Sequence, residues 1–275
     1  MSKKVSIITV NYNDKPGLEK TIASVLSQTS TDYEFVVMDG GSTDGSVEVI
    51  NQHKDRIDIA VSEKDSGVFN AMNKAIKAAT GEFLIFMNGG DIFYNEKVLE
   101  EVIPMLTSRA DIYYGDNYKE TPGGSKRLKT YPEKLSFSFF YTSSINHQST
   151  FIRRSLFDKY FYYNENYRIA ADWEFFIYTI CKENVPYRYL KKTIAIYDFT
   201  GISSNPNSSD LFTKEKSQTF TKYFPSFVED YKEVGELNSK RFQQFQHIKK
   251  HPFAFRILKG FISLLLLFLP KVPKK

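Results

Sequence analysis

Short apolar runs of strand length alternate with amphipathic helical stretches along the first 110 residues, and most of the runs close in turns rich in acid, glycine or serine. Val5-Ser6-Ile7-Ile8-Thr9-Val10 is a β-branched run suited to a strand buried on both faces. It leads through the polar turn Asn11-Tyr12-Asn13-Asp14 to Pro16, tolerated in a first helical turn, and to Leu18, Ile22, Val25 and Leu26 at helical spacing. Further strands are expected over 33–38, 58–62 and 82–88, with a helix beginning over 47–51 and others over 68–79 and 98–106. Alternation of this kind predicts an α/β fold in which a mainly parallel central sheet is flanked by helices. Ligands on such sheets lie beyond the carboxyl ends of the strands, where the unusual polar clusters fall.

The most pointed cluster closes Glu82-Phe83-Leu84-Ile85-Phe86-Met87-Asn88-Gly89-Gly90-Asp91. Two glycines let backbone approach a ligand phosphate closely, and the carboxylate can meet the divalent ion that a diphosphate carries. Asp39 ends a second strand before Gly40 and Gly41, where it either accepts from a nucleotide base or ribose or serves as a turn residue capping the next helix. The chain has no HExxH, CxxC, GxxxxGK[ST] or GxSxG, which sets aside zinc hydrolases, P-loop ATPases and serine hydrolases of the elbow type.

Beyond residue 110 the order loosens. Strands are expected over 111–115, 148–152 and 193–199 and a helix over 171–182, with a turn or loop at 121–125. Residues 137–146 are aromatic and serine-rich without clear periodicity, and 201–209 read as a Gly/Ser/Asn/Pro loop before a helical tail. The single cysteine, Cys181, lies in an apolar helical pattern and reads as a small buried residue in a reducing compartment. Met1-Ser2-Lys3-Lys4 leads straight into a strand-like run, so no secretory leader is expected.

Charge separates body from tail. After Glu236 there are nine bases and no acid, whereas the preceding residues hold 28 bases against 32 acids. Within the tail, Phe261-Ile262-Ser263-Leu264-Leu265-Leu266-Leu267-Phe268-Leu269 falls well short of the about 20 residues that span a bilayer. An interfacial anchor drawn to anionic headgroups is the expectation, with a helix docked on the core or on a second subunit as the alternative. The body is expected to be cytoplasmic, peripheral on the inner face of the cell membrane. No nucleic acid is expected as a partner, and the oligomeric state stays open.

Taken as a set, Ile7-Ile8-Thr9-Val10-Asn11-Tyr12-Asn13, Ser24-Val25-Leu26-Ser27-Gln28-Thr29, Asp39-Gly40-Gly41-Ser42-Thr43-Asp44-Gly45, Ser62 through Lys74, Ala79 through Asp91 and Ala171-Asp172-Trp173-Glu174 resemble family 2 glycosyltransferases of the GT-A fold. The resemblance covers roughly the first 200 residues. It implies a nucleotide-diphosphate sugar donor, a glycan or lipid-linked glycan acceptor, Mg2+ or Mn2+, and an inverting transfer. It further implies a glycosyltransferase domain over 1–209, with a nucleotide-binding half over 1–110 and an acceptor half over 111–209, followed by a helical extension over 210–275.

On that resemblance Thr9, Val10 and Tyr12 line the base pocket, Asp39 holds the base, and Asp65, Asn73 and Lys74 border ribose and diphosphate. Asp91 is the retained metal-binding acid of the Asp-x-Asp motif. The first acid is replaced by Gly89, with Asn88 or a water as its substitute. Asp172 is the general base, with Glu174 as its competitor. His147 and Gln148 form an acceptor-side motif, Trp173 either stacks on a sugar or fills core, and the segment 200–204 closes over bound donor or is a plain connector. A sugar-phosphate nucleotidyltransferase and a non-catalytic nucleotide-sugar-binding subunit of a membrane assembly remain as alternatives.

Overall fold

The protein is described by a computed structural model over residues 3–121, 123–198, 208–228, 230 and 239–270. It divides into two compact units, Met1–Tyr223 and Phe224–Lys275. The first half of the first unit runs β1 (Val5–Asn11), α1 (Lys15–Leu26), β2 (Tyr33–Asp39), α2 (Ser46–Gln52), β3 (Ile59–Ser62), α3 (Val68–Ala78), β4 (Phe83–Phe86), β5 (Ile92–Phe93) and α4 (Val98–Val102). It continues with β6 (Ile112–Glu120), β7 (Lys126–Lys129), α5 (Phe137–Thr142), β8 (Thr150–Arg153), α6 (Ser155–Lys159), α7 (Ala171–Ile177), β9 (Tyr187–Asp198) and α8 (Ser208–Tyr223).

The strands form one sheet in the order β3-β2-β1-β4-β8-β6-β9-β5, with β7 hairpinned onto β6. The first four strands are parallel, in the expected α/β manner. Every residue of β1 is buried between two neighbouring strands, in keeping with its β-branched run. β8 then enters antiparallel between β4 and β6 and joins the acceptor half to the parallel half. A sheet extended this way holds the carboxyl ends of β1, β2 and β4 beside the turn that precedes β8.

Local chemistry moves several boundaries. Pro104, which lacks an N–H, limits the helix expected over 98–106 to Val98–Val102 and a 3-10 turn at Ile103–Met105. The strand expected at 193–199 runs longer, from Tyr187 to Asp198, because β6 pairs along nearly all of it. The turn expected at 121–125 links the hairpin strands β6 and β7. The segment 200–204, with the rest of the loop up to residue 207, lies outside the described residues.

The helix Ser208–Tyr223, assigned from sequence to the extension, belongs to the first unit, so the division falls after Tyr223. Polar anchors account for this. Glu215, 3% exposed, accepts from the backbone N–H groups of Arg168 (2.8 Å), Ile169 (3.1 Å) and Ala170 (2.9 Å). Lys216 donates to the Tyr141 carbonyl at 2.9 Å and lies over the Trp173 ring.

The second unit contains α9 (Lys240–Lys249) and α10 (Pro252–Leu266). Phe255 of α10 meets Phe245 of α9 with ring centroids 6.0 Å apart. Phe253, Ile257, Phe261, Leu264 and Leu265 remain exposed. Among the described residues no helix is long and apolar enough to cross a membrane.

Candidate active site

A cleft of about 910 Å3 opens at the carboxyl ends of the parallel strands. That volume suits a nucleotide-sized ligand. Val10, Tyr12, Asp65, Asn88, Asp91, His147, Gln148 and Asp172 all line it, so eight of the residues singled out from the sequence meet in one place. Tyr12 is 65% exposed at its wall and offers a free ring face. Asp65 accepts from the Gly67 N–H at 2.8 Å and sits so close to Gly40 that a Cβ there would lie 2.6 Å from its carboxylate.

Asp91 comes into the cleft on a tight turn. Its N–H donates to the Asn88 carbonyl at 2.9 Å, and its Oδ2 accepts from the Asn88 N–H at 3.1 Å. Gly90 has φ +95°, the left-handed region a turn of this kind reserves for glycine, and a Cβ there would approach Asp198 Oδ2 to 3.0 Å. Asp91 is 3% exposed. Burial pushes its carboxyl up to about 6, against hydrogen bonds from the Asp198 N–H, Gln148 and the Asn88 N–H. Thr21 steadies the turn by donating to the carbonyls of Asn88 and Asp91.

The other wall carries Asp172, in the first turn of α7. Its Oδ2 lies 2.7 Å from His147 Nδ1, and its Oδ1 accepts from the Trp173 N–H at 2.7 Å. His147 Nε2 lies 3.3 Å from Asn88 Nδ2. Asp91, Asn88, His147 and Asp172 therefore form a continuous polar line from the donor-half turn to the acceptor-half helix. No side chain of the α7 cap itself closes the helix start. Glu215 of α8 takes up the Ala170 N–H at the helix start and the Arg168 and Ile169 N–H groups of the segment before it.

Six expected site residues stand elsewhere. Asp39, 3% exposed, is not on the cleft wall. Its Oδ1 accepts from Asn11 and the Ser42 hydroxyl, and its Oδ2 from the Gly41 and Ser42 N–H groups and the Ser62 hydroxyl. Burial works to raise this carboxyl, but those hydrogen bonds outweigh it and hold it below the usual range. In this conformation Asp39 organises the loop behind Gly40. Thr9 is fully buried and donates to the Met87 carbonyl at 2.7 Å, fastening β1 to the end of β4.

Asn73 shares the buried face of α3 with Phe69, Met72 and Ile76. Its amide is used by the Tyr163 backbone and Glu165. Lys74 points away to Glu63, at 2.6 Å. Trp173 is 1% exposed and donates to the Phe140 carbonyl at 2.9 Å, so it fills core. Glu174 is equally buried, 3.7 Å from Lys222, and burial raises its carboxyl. Trp173 and Glu174 fall on the buried side of α7, roughly 100° and 200° around the helix from Asp172.

Lys64, Arg168 and Asp198 also line the cleft and were missed by sequence reasoning. Asp198 closes β9 beside Asp91, to which its N–H donates at 3.1 Å. An acid at a strand end was the signal that could have found it. Lys64 and Arg168 lie in irregular segments with no comparable pattern. As for the implied divalent ion, no group of three metal-ligating side chains occurs among the described residues. A desolvated carboxylate in the cleft, with a second acid beside it, nevertheless fits an ion whose shell is completed by diphosphate and water.

Gly89 leaves the place of the missing first acid empty for a structural reason. A Cβ there would come 3.1 Å from Asn11 Oδ1 and 3.6 Å from Asp14 Oδ2, so a carboxylate would face Asp14. Asn88, the expected substitute, turns its amide to His147 instead.

Residues 6–161 match the family described as Glycosyl transferase family 2. A PGL/p-HBAD biosynthesis glycosyltransferase of Mycobacterium bovis is 32% identical over 209 residues, 72% of this chain and 78% of that one. The putative teichuronic acid biosynthesis glycosyltransferase TuaG of Bacillus subtilis is 33% identical over 139 residues, 48% of this chain and 55% of its own. Among solved structures, S. aureus TarS 1-349 in complex with UDP superposes with a TM-score of 0.59 at 20% identity, over 89% of this chain and 78% of that one. The last likeness establishes the fold, which is GT-A.

Proposed function

The chain belongs to glycosyltransferase family 2, and from that membership we propose an inverting, metal-dependent transfer of a sugar from a nucleotide-diphosphate donor to a hydroxyl of a lipid-linked glycan. The observation that carries this reading is the placement of Asp91 and Asp172 on one cleft. Names of relatives in PGL/p-HBAD and teichuronic acid biosynthesis support a surface glycan as the product. The nucleotidyltransferase alternative falls with family membership.

The residues divide the work. Val10 and Tyr12 border the nucleotide, and Lys64 and Arg168 bring positive charge to the diphosphate. Asp91 and Asp198 would hold a divalent ion, which supplies charge that stabilises the departing diphosphate. Asp172 takes the acceptor hydroxyl proton while that oxygen bonds to the anomeric carbon. The bond from this carbon to the diphosphate oxygen breaks, and the diphosphate leaves with the electron pair.

Thermal-shift and calorimetric titration against UDP-, GDP- and TDP-sugars, with and without Mg2+ or Mn2+, tests the donor half of this reading. One nucleotide class is expected to stabilise the protein with metal, and transfer or slow hydrolysis is expected with the same donor. Absence of both across the panel would overturn the proposal. Between 3.8 and about 6 the folded chain keeps a proton on Asp91 that the unfolded chain has lost. Its stabilising contribution is therefore full below 3.8 and lost as pH rises through about 6. A cation competes for that oxygen, so metal-linked donor affinity should be full above about pH 6 and weaken roughly tenfold per unit below it.

The exposed apolar face of α10 and the nine bases after Glu236 support a peripheral position on anionic lipid at the inner face of the cell membrane. The protein should sediment with phosphatidylglycerol vesicles, but not with phosphatidylcholine vesicles, and salt should release it. Phe261→Asp should weaken that binding about tenfold or more. Failure of the unsubstituted protein to sediment with phosphatidylglycerol vesicles would remove the membrane role.

A further inference from the structure

Resting on the assignment of Asp172 as base, we propose that His147 is the positioning residue that fixes the Asp172 carboxylate for proton abstraction. The Nδ1 to Oδ2 distance is 2.7 Å, and both side chains are mostly buried, 15% and 18% exposed. The other ring nitrogen, Nε2, lies 3.3 Å from the Asn88 amide nitrogen. An amide N–H donating there requires a lone pair on Nε2, which leaves the ring proton on Nδ1. That tautomer is the one able to donate to Asp172.

With Oδ2 held by His147 and Oδ1 by the Trp173 N–H, the carboxylate plane cannot rotate freely. Each oxygen keeps a lone pair for the acceptor hydroxyl. Free rotation would otherwise cost the alignment on which proton transfer depends.

His147 is itself held on a rigid base. The preceding residue, Asn146, accepts through Oδ1 from Lys129 Nζ (3.0 Å) and from the Tyr131 hydroxyl (2.9 Å). Its carbonyl accepts from the Thr150 hydroxyl at 2.7 Å, tying the turn Asn146-His147-Gln148-Ser149 to the start of β8. The edge of Phe86 closes one side of the imidazole, with centroids 6.1 Å apart. Because Asn88 also donates through its backbone to Asp91, the line couples the geometry of the two sides of the cleft.

Four variants test the assignment: His147→Ala, His147→Asn, Asp172→Asn and the Asp172→Asn/His147→Ala double variant. Each is assayed for kcat and donor KM with a turning-over donor and acceptor, and its fold is verified by thermal melting. His147→Ala should lower kcat about 10–100-fold, the scale for groups that orient a reacting ligand, with donor KM within about twofold. His147→Asn should recover most of the loss, because its amide N–H can stand near the Nδ1 position. The double variant should be no slower than Asp172→Asn alone. A wild-type kcat in His147→Ala, or matching losses in kcat and donor affinity without rescue by Asn, would overturn the inference. Retained transfer in Asp172→Asn would instead overturn the base assignment, so the two failures are distinguishable.

Discussion

Asp172→Asn should reduce transfer about 10²–10⁴-fold, the range expected for loss of a general base, while donor binding changes by less than about twofold. The substitution is nearly isosteric. Its amide can retain one of the two contacts that the carboxylate makes, to His147 and to the Trp173 N–H. The lost capacity is to take a proton from the acceptor, which the donor-binding wall does not require. Donor affinity measured by calorimetry and turnover measured with an acceptor extract separate the two. Equal loss of both would mean that Asp172 serves the architecture of the cleft, and the transfer mechanism would need another base. Glu174 is poorly placed for that role, being buried against Lys222 and away from the cleft.

Glu215→Ala is expected to be the most damaging substitution remote from the reacting groups. It removes one carboxylate and strands three backbone donors, at Arg168, Ile169 and Ala170, in the segment that leads into α7. Unsatisfied buried groups cost about 1–3 kcal/mol each, and these three are partly to fully shielded, so a loss on the order of 3–5 kcal/mol is expected. Denaturant unfolding should show this as a lower midpoint at an unchanged slope. Activity should fall further than the folded fraction, because Arg168 and Ile169 line the cleft and Asp172 follows three residues after Ile169. Glu215→Gln should be milder, since its amide oxygen still accepts. A Glu215→Ala protein with wild-type stability would show that water replaces the carboxylate without cost.

Several features of the fold were legible because they depend on local pattern. The β-branched run of β1, Pro16 in the first turn of α1 and the spacing of Leu18, Ile22 and Val25 are each set by near neighbours in sequence. The place of Asp91 on the cleft wall was legible too, since polar clusters at the carboxyl ends of parallel strands face the ligand side of the sheet. Asp172 and His147 were found through family resemblance, although nothing in their local sequence says that they touch. Asp39 shows the limit of the same logic. An acid before two glycines looks identical in sequence whether it faces a ligand or folds back on Ser42 and Ser62, and only the surrounding donors make the difference. Asn73 lies off the cleft wall, and Trp173 takes its core-filling alternative, for another reason. Helical neighbours of a site residue point into different surroundings, and the partner surface decides which face is buried.

Periodicity, turn chemistry and charge act over a few residues, so the alternation of β1 to β4 with their helices, the parallel first half, the acid on the β4 turn and the basic apolar tail were readable in the sequence, whereas β5, β7, α5 and α6 were not. Long-range packing places α8 in the first unit, lets Glu215 anchor the segment that leads into α7 from 45 residues away, and joins Asp91 to Asp172 through Asn88 and His147. Apart from the local turn that joins Asn88 to Asp91, these contacts link groups far apart in the chain. Their geometry exists only once the sheet has brought its strand ends together.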